Sequence, residues 1–152
     1  MTKTRKRTET LVHVRWMIRR DMEEVLHIAA DCALPWGQED FLHALRQRNC
    51  IGMIAEVKDV VTGFMVYELN SGFFTLLNFA VDPHWWERGV GTAMMNKLTS
   101  KLGEHRRTRI ECVVPEQSVA LQCWLRGRGF KATKVLRGHF EIEDGFAMEY
   151  RL

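Results

Sequence analysis

The chain has 152 residues, of which 46% are hydrophobic and 27% are charged. A chain of this length buries enough apolar surface for one stable domain without disulfides or metals, and its composition is that of an ordinary globular protein. Its apolar runs fall far short of the roughly 20 residues that a bilayer-spanning helix needs, which excludes a membrane protein of that class.

The first ten residues, MTKTRKRTET, are basic and lack the apolar core of a signal peptide. We therefore expect a disordered, solvated tail over residues 1–10 and a cytoplasmic protein. The tail carries Lys3, Arg5, Lys6 and Arg7, so the rest of a chain with net charge +3 is close to neutral. This distribution argues against specific nucleic-acid binding and leaves only a weak, salt-sensitive attraction to RNA.

The rest of the chain, residues 11–152, divides into strands and helices of a single predicted domain. Apolar residues alternate in the strands and recur at helical spacing in the helices, while Pro35 ends the first helix and Gly103 caps the third. In chain order the prediction is a strand over 11–18, helices over 21–33 and 38–48, strands over 51–57, 61–69 and 73–81, a helix over 91–102, a strand over 109–114, a helix over 117–125, and strands over about 130–136 and 140–150. This order predicts a mixed α/β fold with one sheet flanked by four helices.

Four cysteines, Cys32, Cys50, Cys112 and Cys123, form no C-x-x-C pair and have no histidine at metal-ligand spacing. We expect reduced thiols that pack as small apolar side chains, and no bound metal. The alternative is a catalytic thiol at Cys112 or Cys123.

A glycine-containing loop, Glu87-Arg88-Gly89-Val90-Gly91-Thr92, lies between the apolar strand 73–81 and a helix. Amides at a helix start are unsatisfied, the helix dipole favours an anion there, and glycines let the anion approach the backbone. The loop therefore predicts a phosphate or pyrophosphate site, with Arg88 adding a charge-assisted contact. The alternative is a plain strand-to-helix turn. A P-loop is excluded because no Gly-Lys-Ser/Thr is present, and the dinucleotide fingerprint is excluded because Met94 follows where its third glycine belongs.

The motif Arg88-x-x-Gly91-x-Ala93 resembles the signature of the GNAT N-acetyltransferase superfamily, and residues 77–83 before it resemble the RimI-type ribosomal-protein-alanine N-acetyltransferases. Pro35-Trp36 with Phe41, and Gly129-Phe130, resemble further landmarks of these enzymes. The resemblance covers residues 11–152.

This resemblance implies a GNAT-like, mostly antiparallel sheet that splays between the strand ending at Val81 and the strand containing Glu111. It implies that acetyl-CoA binds there as co-substrate, along the main chain of Phe79, Ala80 and Val81 and with its pyrophosphate on residues 87–92. It also implies direct attack by the acceptor amine in a ternary complex.

Glu111 matches the catalytic glutamate of the family and is the candidate general base, since a protonated amine must lose a proton before it attacks. The alternative is an outward-facing strand residue that only pairs with Arg109 or a neighbouring lysine. At the family's general-acid tyrosine this chain has Leu125, which cannot donate a proton. Departure of the thiolate without a protein acid, another donor such as His139, Ser118 or water, and loss of activity remain as alternatives.

The resulting function is transfer of an acetyl group from acetyl-CoA to a primary amine, with the α-amine of a protein N-terminus, such as that of a ribosomal protein, as the leading acceptor. One alternative is a GNAT enzyme acting on a small amine or polyamine, which an acidic acceptor pocket would favour. The other is a non-catalytic acyl-CoA-binding domain.

Overall fold

The computed structural model describes residues 11–32 and 34–152, so the predicted tail over 1–10 lies outside the described part, as does Ala33. The helices of this part are α1 (Met22–Asp31), α2 (Gln38–Leu45), α3 (Val90–Thr99) and α4 (Val119–Gly127). The strands are β1 (His13–Trp16), β2 (Cys50–Val57), β3 (Val60–Asn70), β4 (Phe73–Val81), β5 (Arg109–Pro115), β6 (Lys131–Phe140) and β7 (Glu143–Arg151).

All of these strands belong to one sheet, in the order β1-β2-β3-β4-β5-β7-β6. Every neighbouring pair is antiparallel except β4 and β5, which are parallel. The predicted mixed, mostly antiparallel sheet flanked by four helices is therefore confirmed for the described residues. The β2–β3 hairpin turns at Lys58 and Asp59 as predicted, and both residues have positive φ, as a tight hairpin turn with the twist of the strands requires.

Apolar side chains pack on both faces of the central strands of the sheet. On one face, α3 and α4 bury Met94, Met95, Leu98 and Leu125 against β5 residues such as Ile110. On the other face, residues of α1 and α2 pack on β2, β3 and β4; this cluster includes Val25, Ile28, Phe41, Ile54 and Phe64. A residue on a central strand therefore faces either the α3–α4 side or the α1–α2 side, which decides what each polar side chain can reach.

Several boundaries differ from the sequence prediction; for example, β1 covers His13–Trp16 and not 11–18, and α2 ends at Leu45 and not at 48. Helix α3 ends at Thr99, before the predicted end at 102, and Gly103 with φ of 92° begins a short 3-10 turn over Glu104–Arg106 rather than capping the helix. The last hairpin turns at 141–142, because β6 continues through residues 137–139 with a register shift between Leu136 and Phe140. A glycine at positive φ, Gly138, allows this irregular stretch to stay in the strand.

In the ranges 11–32 and 34–152 we find no helix that is both long enough and apolar enough to cross a membrane.

Asp21 is expected to stabilise the fold through its bonds to Arg15. Its carboxylate accepts two hydrogen bonds of 2.8 Å from Arg15 and one of 2.8 Å from the Ile18 N–H, and its side chain is 7% exposed. Asp21→Asn should lower the free energy of unfolding by about 1.5–3 kcal/mol at neutral pH, the usual weight of a hydrogen bond to a charged group. Urea unfolding measures this, with the exposed Glu24→Gln as the control that should change little.

The same interaction gives a pH dependence. The hydrogen bonds from Arg15 hold the pKa of Asp21 below its ordinary value. A depressed folded-state pKa means that the stabilisation is present above about pH 4 and is lost as the pH falls through the folded pKa. As the pH is lowered from 7 to below the pKa of Asp21, the free energy of unfolding of the wild type should fall more steeply than that of Asp21→Asn. Parallel pH profiles of the two proteins would contradict this role.

Candidate active site

The sheet opens between β4 and β5. These strands pair only where Phe73–Thr75 lies beside Arg109–Glu111, although β4 continues to Val81 and β5 to Pro115. A bulge at Leu77, where the register with β3 shifts, bends β4 at the point where the pairing ends. The splay that the family resemblance implies is therefore present, with Glu111 at its closed end.

The backbone of β4 directs alternate residues into this splay. The Asp82 N–H donates to the Thr62 carbonyl of β3 at 2.8 Å. Because hydrogen bonds of an antiparallel pair alternate along a strand, Ala80 also turns its N–H and C=O toward β3, while those of Phe79 and Val81 point toward the splay. Two of the three predicted main-chain positions, Phe79 and Val81, can thus meet a ligand through their backbone groups, and Ala80 lies between them with its backbone turned away.

The carbonyl of Val81 already has a donor. The indole N–H of Trp86 donates to this carbonyl at 2.7 Å, and the Cys32 thiol lies 3.4 Å from the same oxygen. Val81 therefore offers its amide N–H, rather than its carbonyl, to a ligand in the splay.

The predicted anion loop ends in a helix start with outward-facing amides. Gly89 has φ of 82°, a left-handed conformation that strains any residue with a side chain, and it is the N-cap of α3. The first α-helical hydrogen bond, between residues four positions apart, runs from the Ala93 N–H to the Gly89 carbonyl at 2.9 Å. The amides of Val90, Gly91 and Thr92 precede that bond and have no partner within the helix, which makes them donors for an anion.

Gly91 forms a cradle that a side chain would fill. A Cβ built at Gly91 would lie 3.2 Å from Cζ2 of Trp124 and 3.4 Å from Cζ of Phe79. These two rings stack with centroids 5.4 Å apart, so they form an aromatic wall beside the amides. A side chain at Gly91 would therefore crowd these two rings. Gly89 is favoured for a different reason, its left-handed backbone conformation. Both features fit the pyrophosphate of a coenzyme A substrate on this loop.

The exposed part of the loop holds two charged residues of opposite sign. The Arg88 guanidinium lies 5.1 Å from the centre of the Trp85 ring, and Arg88 itself comes directly before Gly89, the N-cap of α3. Glu87 is exposed with φ of 61°, and its carboxylate does not suit an anion site. Arg88 is therefore the side chain of this loop that favours a phosphate, and Glu87 contributes the shape of the turn.

A second arginine, Arg128, reaches the same helix start from the end of α4. Its Nη1 donates to Oγ1 of Thr92 at 3.3 Å, and its guanidinium lies 5.7 Å from the centre of the Trp124 ring. Sequence analysis missed Arg128 because it is 36 residues from Thr92 and belongs to no motif of the loop.

Glu111 lies on the sheet face opposite α3 and α4. Its strand neighbours Ile110 and Cys112 pack in the core under α3, so alternation turns Glu111 to the other side. The side chain is 39% exposed, and its Oε1 accepts a hydrogen bond of 2.8 Å from Nε of Arg109. The ion pair that was the alternative interpretation of this residue is present. Because Arg109 holds Oε1, it also orients the carboxylate at the closed end of the splay.

Leu125, the residue at the family's tyrosine position, is 1% exposed and packs in the core under α4. Its side chain does not face the splay. The preceding residue, Trp124, is the one that α4 directs to the anion loop. The sequence carries no local signal for Trp124 at the loop, because its contacts with Phe79 and Gly91 join distant segments of the chain.

The structure makes Cys112 unsuitable as a nucleophile. Cys112 is 6% exposed, and burial raises the pKa of its thiol to about 12, so the reactive thiolate is absent near neutral pH. Cys123 is exposed on the helix α4.

We expect that no cysteine is needed for chemistry. A variant with all four cysteines replaced by Ala or Ser should keep its turnover once its folded fraction is taken into account, because direct transfer needs no covalent nucleophile. In the native protein a thiol reagent should label Cys123 first and Cys112 last. Loss of turnover in a folded cysteine-free variant would contradict direct transfer.

Comparison with known proteins agrees with this geometry. The model of the acetyltransferase (GNAT) family matches residues 15–130. The chain is 22% identical to the [ribosomal protein bS18]-alanine N-acetyltransferase of Escherichia coli K12 over 126 residues, which cover 82% of this chain and 84% of that protein. The crystal structure of the ribosomal-protein-S18-alanine N-acetyltransferase from Escherichia coli has a TM-score of 0.82 at 19% identity and covers 93% of this chain and 94% of that one.

Two further solved structures share the fold. Ard1 from Thermoplasma volcanium has a TM-score of 0.85 at 23% identity, covering 93% of this chain and 97% of that one. A spermidine N-acetyltransferase chimera of Vibrio cholerae SpeG and hSSAT has a TM-score of 0.78 at 14% identity, covering 92% and 95%. Because the family model spans more than half of the sequence, the chain belongs to the GNAT acetyltransferase family and is an acetyl-CoA-dependent N-acetyltransferase.

Proposed function

We propose that this enzyme acetylates the α-amine of a protein N-terminus by direct attack of the amine on acetyl-CoA in a ternary complex. The observation that carries the proposal is the splay between β4 and β5, which has the carboxylate of Glu111 at its closed end and the amides that begin α3 at its open end. One groove thus offers a base for the amine and donors for the anionic part of the acetyl donor.

The donor end of the groove holds acetyl-CoA and takes no part in proton transfer. Acetyl-CoA is a substrate that supplies the acetyl group as a thioester. The amides of Val90, Gly91 and Thr92, together with Arg88 and Arg128, would hold its phosphates, since these are the donors and positive charges that surround the helix start.

The acceptor end of the groove provides the acid–base chemistry. Glu111 takes the proton from the ammonium group of the acceptor, directly or through a water, and Arg109 orients its carboxylate by donating to Oε1 at 2.8 Å. The N–H of Val81 faces the splay and is a donor for the negative charge that develops on the thioester oxygen. The transfer does not need a general acid at the position of Leu125, because the thiolate of coenzyme A is a stable leaving group.

The identity of the acceptor draws its support from relatives. Similarity to the [ribosomal protein bS18]-alanine N-acetyltransferase of Escherichia coli supports a protein N-terminus as the acceptor, and a ribosomal protein N-terminus as the first one to test. A small amine or polyamine is a second candidate, favoured by a cavity lined by two carboxylates on the α1–α2 side.

The proposal is tested by acetyl-CoA turnover against a panel of acceptors. The panel contains peptides that begin with alanine, the same peptides with the α-amine blocked and an internal lysine kept, and spermidine. Release of coenzyme A thiol and mass spectrometry of the products identify the acetylated amine. We expect turnover with the free α-amine and none with the blocked peptide. Turnover with spermidine and with no peptide would instead indicate a polyamine acetyltransferase. Binding of acetyl-CoA without turnover on any acceptor would indicate a non-catalytic acyl-CoA-binding domain.

A further inference from the structure

A row of polar residues crosses the sheet on the face opposite α3 and α4. Glu68 of β3 lies opposite Thr75 of β4, and Thr75 lies beside Glu111 of β5. Residues in register share a face, so the side chains of Glu68 and Glu111 are on the same side of the sheet, two strands apart. At about 4.8 Å between strands, the two backbone positions are roughly 10 Å from each other.

A cavity of about 520 Å³ opens at the Glu68 end of this row. Helix α2 and the chain before it contribute Trp36, Asp40 and His43, and β4 contributes Leu77, the residue of the bulge. Trp36 is fixed by edge-on packing against Phe41, with ring centroids 5.1 Å apart. The volume is in the range of small-molecule sites, and the wall combines a rigid aromatic ring with two carboxylates.

Within residues 11–32 and 34–152, no Lys or Arg forms an ion pair with the two carboxylates of this cavity. Glu68 accepts a hydrogen bond of 2.9 Å from the side-chain amide of Asn70, and Asp40 accepts one of 2.9 Å from the backbone N–H of Gly37. Both hydrogen-bond donors are neutral. Among the described residues that line the cavity, none is Lys or Arg. Glu111, at the other end of the row, is in contrast paired with Arg109. The cavity therefore carries negative charge that a ligand can complement, and an aromatic face that also attracts cations.

We propose that the acceptor carries a second positive charge about 10 Å from the nitrogen that is acetylated, and that Asp40, Glu68 and Trp36 bind this charge. The inference rests on the proposed function, since it takes Glu111 as the place of the reacting amine. Two acceptors have this chemistry: a peptide with Lys or Arg near its N-terminus, and a polyamine with its second amino group.

The test measures the preference for the second charge in matched acceptors. One pair is an alanine-first peptide with Lys or with Gln at its third position; the other pair is spermidine and butylamine. We expect wild-type kcat/KM to be at least about tenfold higher for the charged member of one pair, mainly through KM, because a charge-assisted contact of that strength is ordinary. The pair that shows the preference identifies which source of the cation the enzyme uses.

Glu68→Gln and Asp40→Asn should each remove most of this preference while the rate with the uncharged acceptor stays near wild type. The matched control is Glu39→Gln, which removes a charge from the neighbouring position of the same helix and does not line the cavity. Calorimetry of spermidine and of the Lys peptide with the acetyl-CoA-free protein gives a readout that does not depend on turnover, and the same variants should weaken that binding.

Equal preference in wild type, Glu68→Gln and Asp40→Asn would overturn the inference. So would wild-type turnover that does not distinguish charged from uncharged acceptors, although the proposed transfer would then stand. If no acceptor is acetylated, the proposed function fails and the calorimetry alone decides whether the cavity binds a cation.

Discussion

Glu111→Gln should lower kcat/KM by roughly 10²–10⁴-fold, the usual weight of general acid–base catalysis. The glutamine keeps the shape of the side chain but cannot accept the proton of the ammonium group. Affinity for coenzyme A should barely change, because the lost interaction belongs to the transition state and not to the binding of the donor. Initial rates over a range of acetyl-CoA and acceptor concentrations, with calorimetry of coenzyme A, separate the two effects.

Glu149→Gln is the matched control for this variant. Glu149 lies directly opposite Glu111 on β7 and accepts a hydrogen bond of 2.8 Å from Arg151, so it forms the same kind of ion pair on the same face of the sheet. This control should retain near wild-type turnover. If folded Glu111→Gln that binds coenzyme A turns over like the wild type, Glu111 is not the base and its pairing with Arg109 is its whole role.

Gly91→Asp should weaken the binding of coenzyme A at least tenfold, or about 1.4 kcal/mol. The new carboxylate repels the pyrophosphate, and its Cβ meets Trp124 at 3.2 Å, so the cradle beside the helix amides is both charged and filled. Gly91→Ala adds the same Cβ without the charge and should lose less affinity. The difference between the two variants is the electrostatic part, and it should shrink as salt is raised.

Calorimetry of coenzyme A with both variants makes this measurement, after circular dichroism has shown that they fold. Gly72→Asp is a suitable control, because it adds a carboxylate in the β3–β4 turn, where a Cβ at the glycine would meet no atom within 4 Å. Its φ of 87° costs some stability in the fold but should leave the affinity unchanged. Wild-type affinity in folded Gly91→Asp would contradict the placement of the pyrophosphate.

The sequence was sufficient for the order of the elements and for the position of the glycine loop between β4 and α3. Alternation of apolar residues and turn residues such as Lys58 and Asp59 are local signals, and the structure has the strands and turns that they predict. The loop is likewise local, since Gly89 and Gly91 lie between a strand and the helix that follows it. What local signals missed are boundaries that depend on packing, such as the end of α3 at Thr99 and the irregular course of β6 through Gly138.

The parts of the site that the sequence did not predict are contacts between distant segments. The bond from Arg128 to Thr92 and the stack of Trp124 on Phe79 depend on how α4 crosses the start of α3. The row from Glu68 to Glu111 depends on the register of three strands, and one bulge in β4 decides which residues share its face. Periodicity gives the face of a residue within one strand, but it does not give the register between strands.

The central claim is that the acetyl group moves from acetyl-CoA to an amine without first joining the protein. The most direct measurement is a single-turnover reaction with enzyme in excess over acetyl-CoA, quenched at successive times after an alanine-first peptide is added. Mass spectrometry follows the acetyl group on the peptide, on the protein and on coenzyme A. The account predicts that acetyl-peptide appears in one phase, at the rate at which acetyl-CoA disappears, and that no acetylated protein forms on the path. An acetylated cysteine that forms and decays before the peptide product, or acetyl-CoA that stays bound and unconsumed with every acceptor, would contradict it.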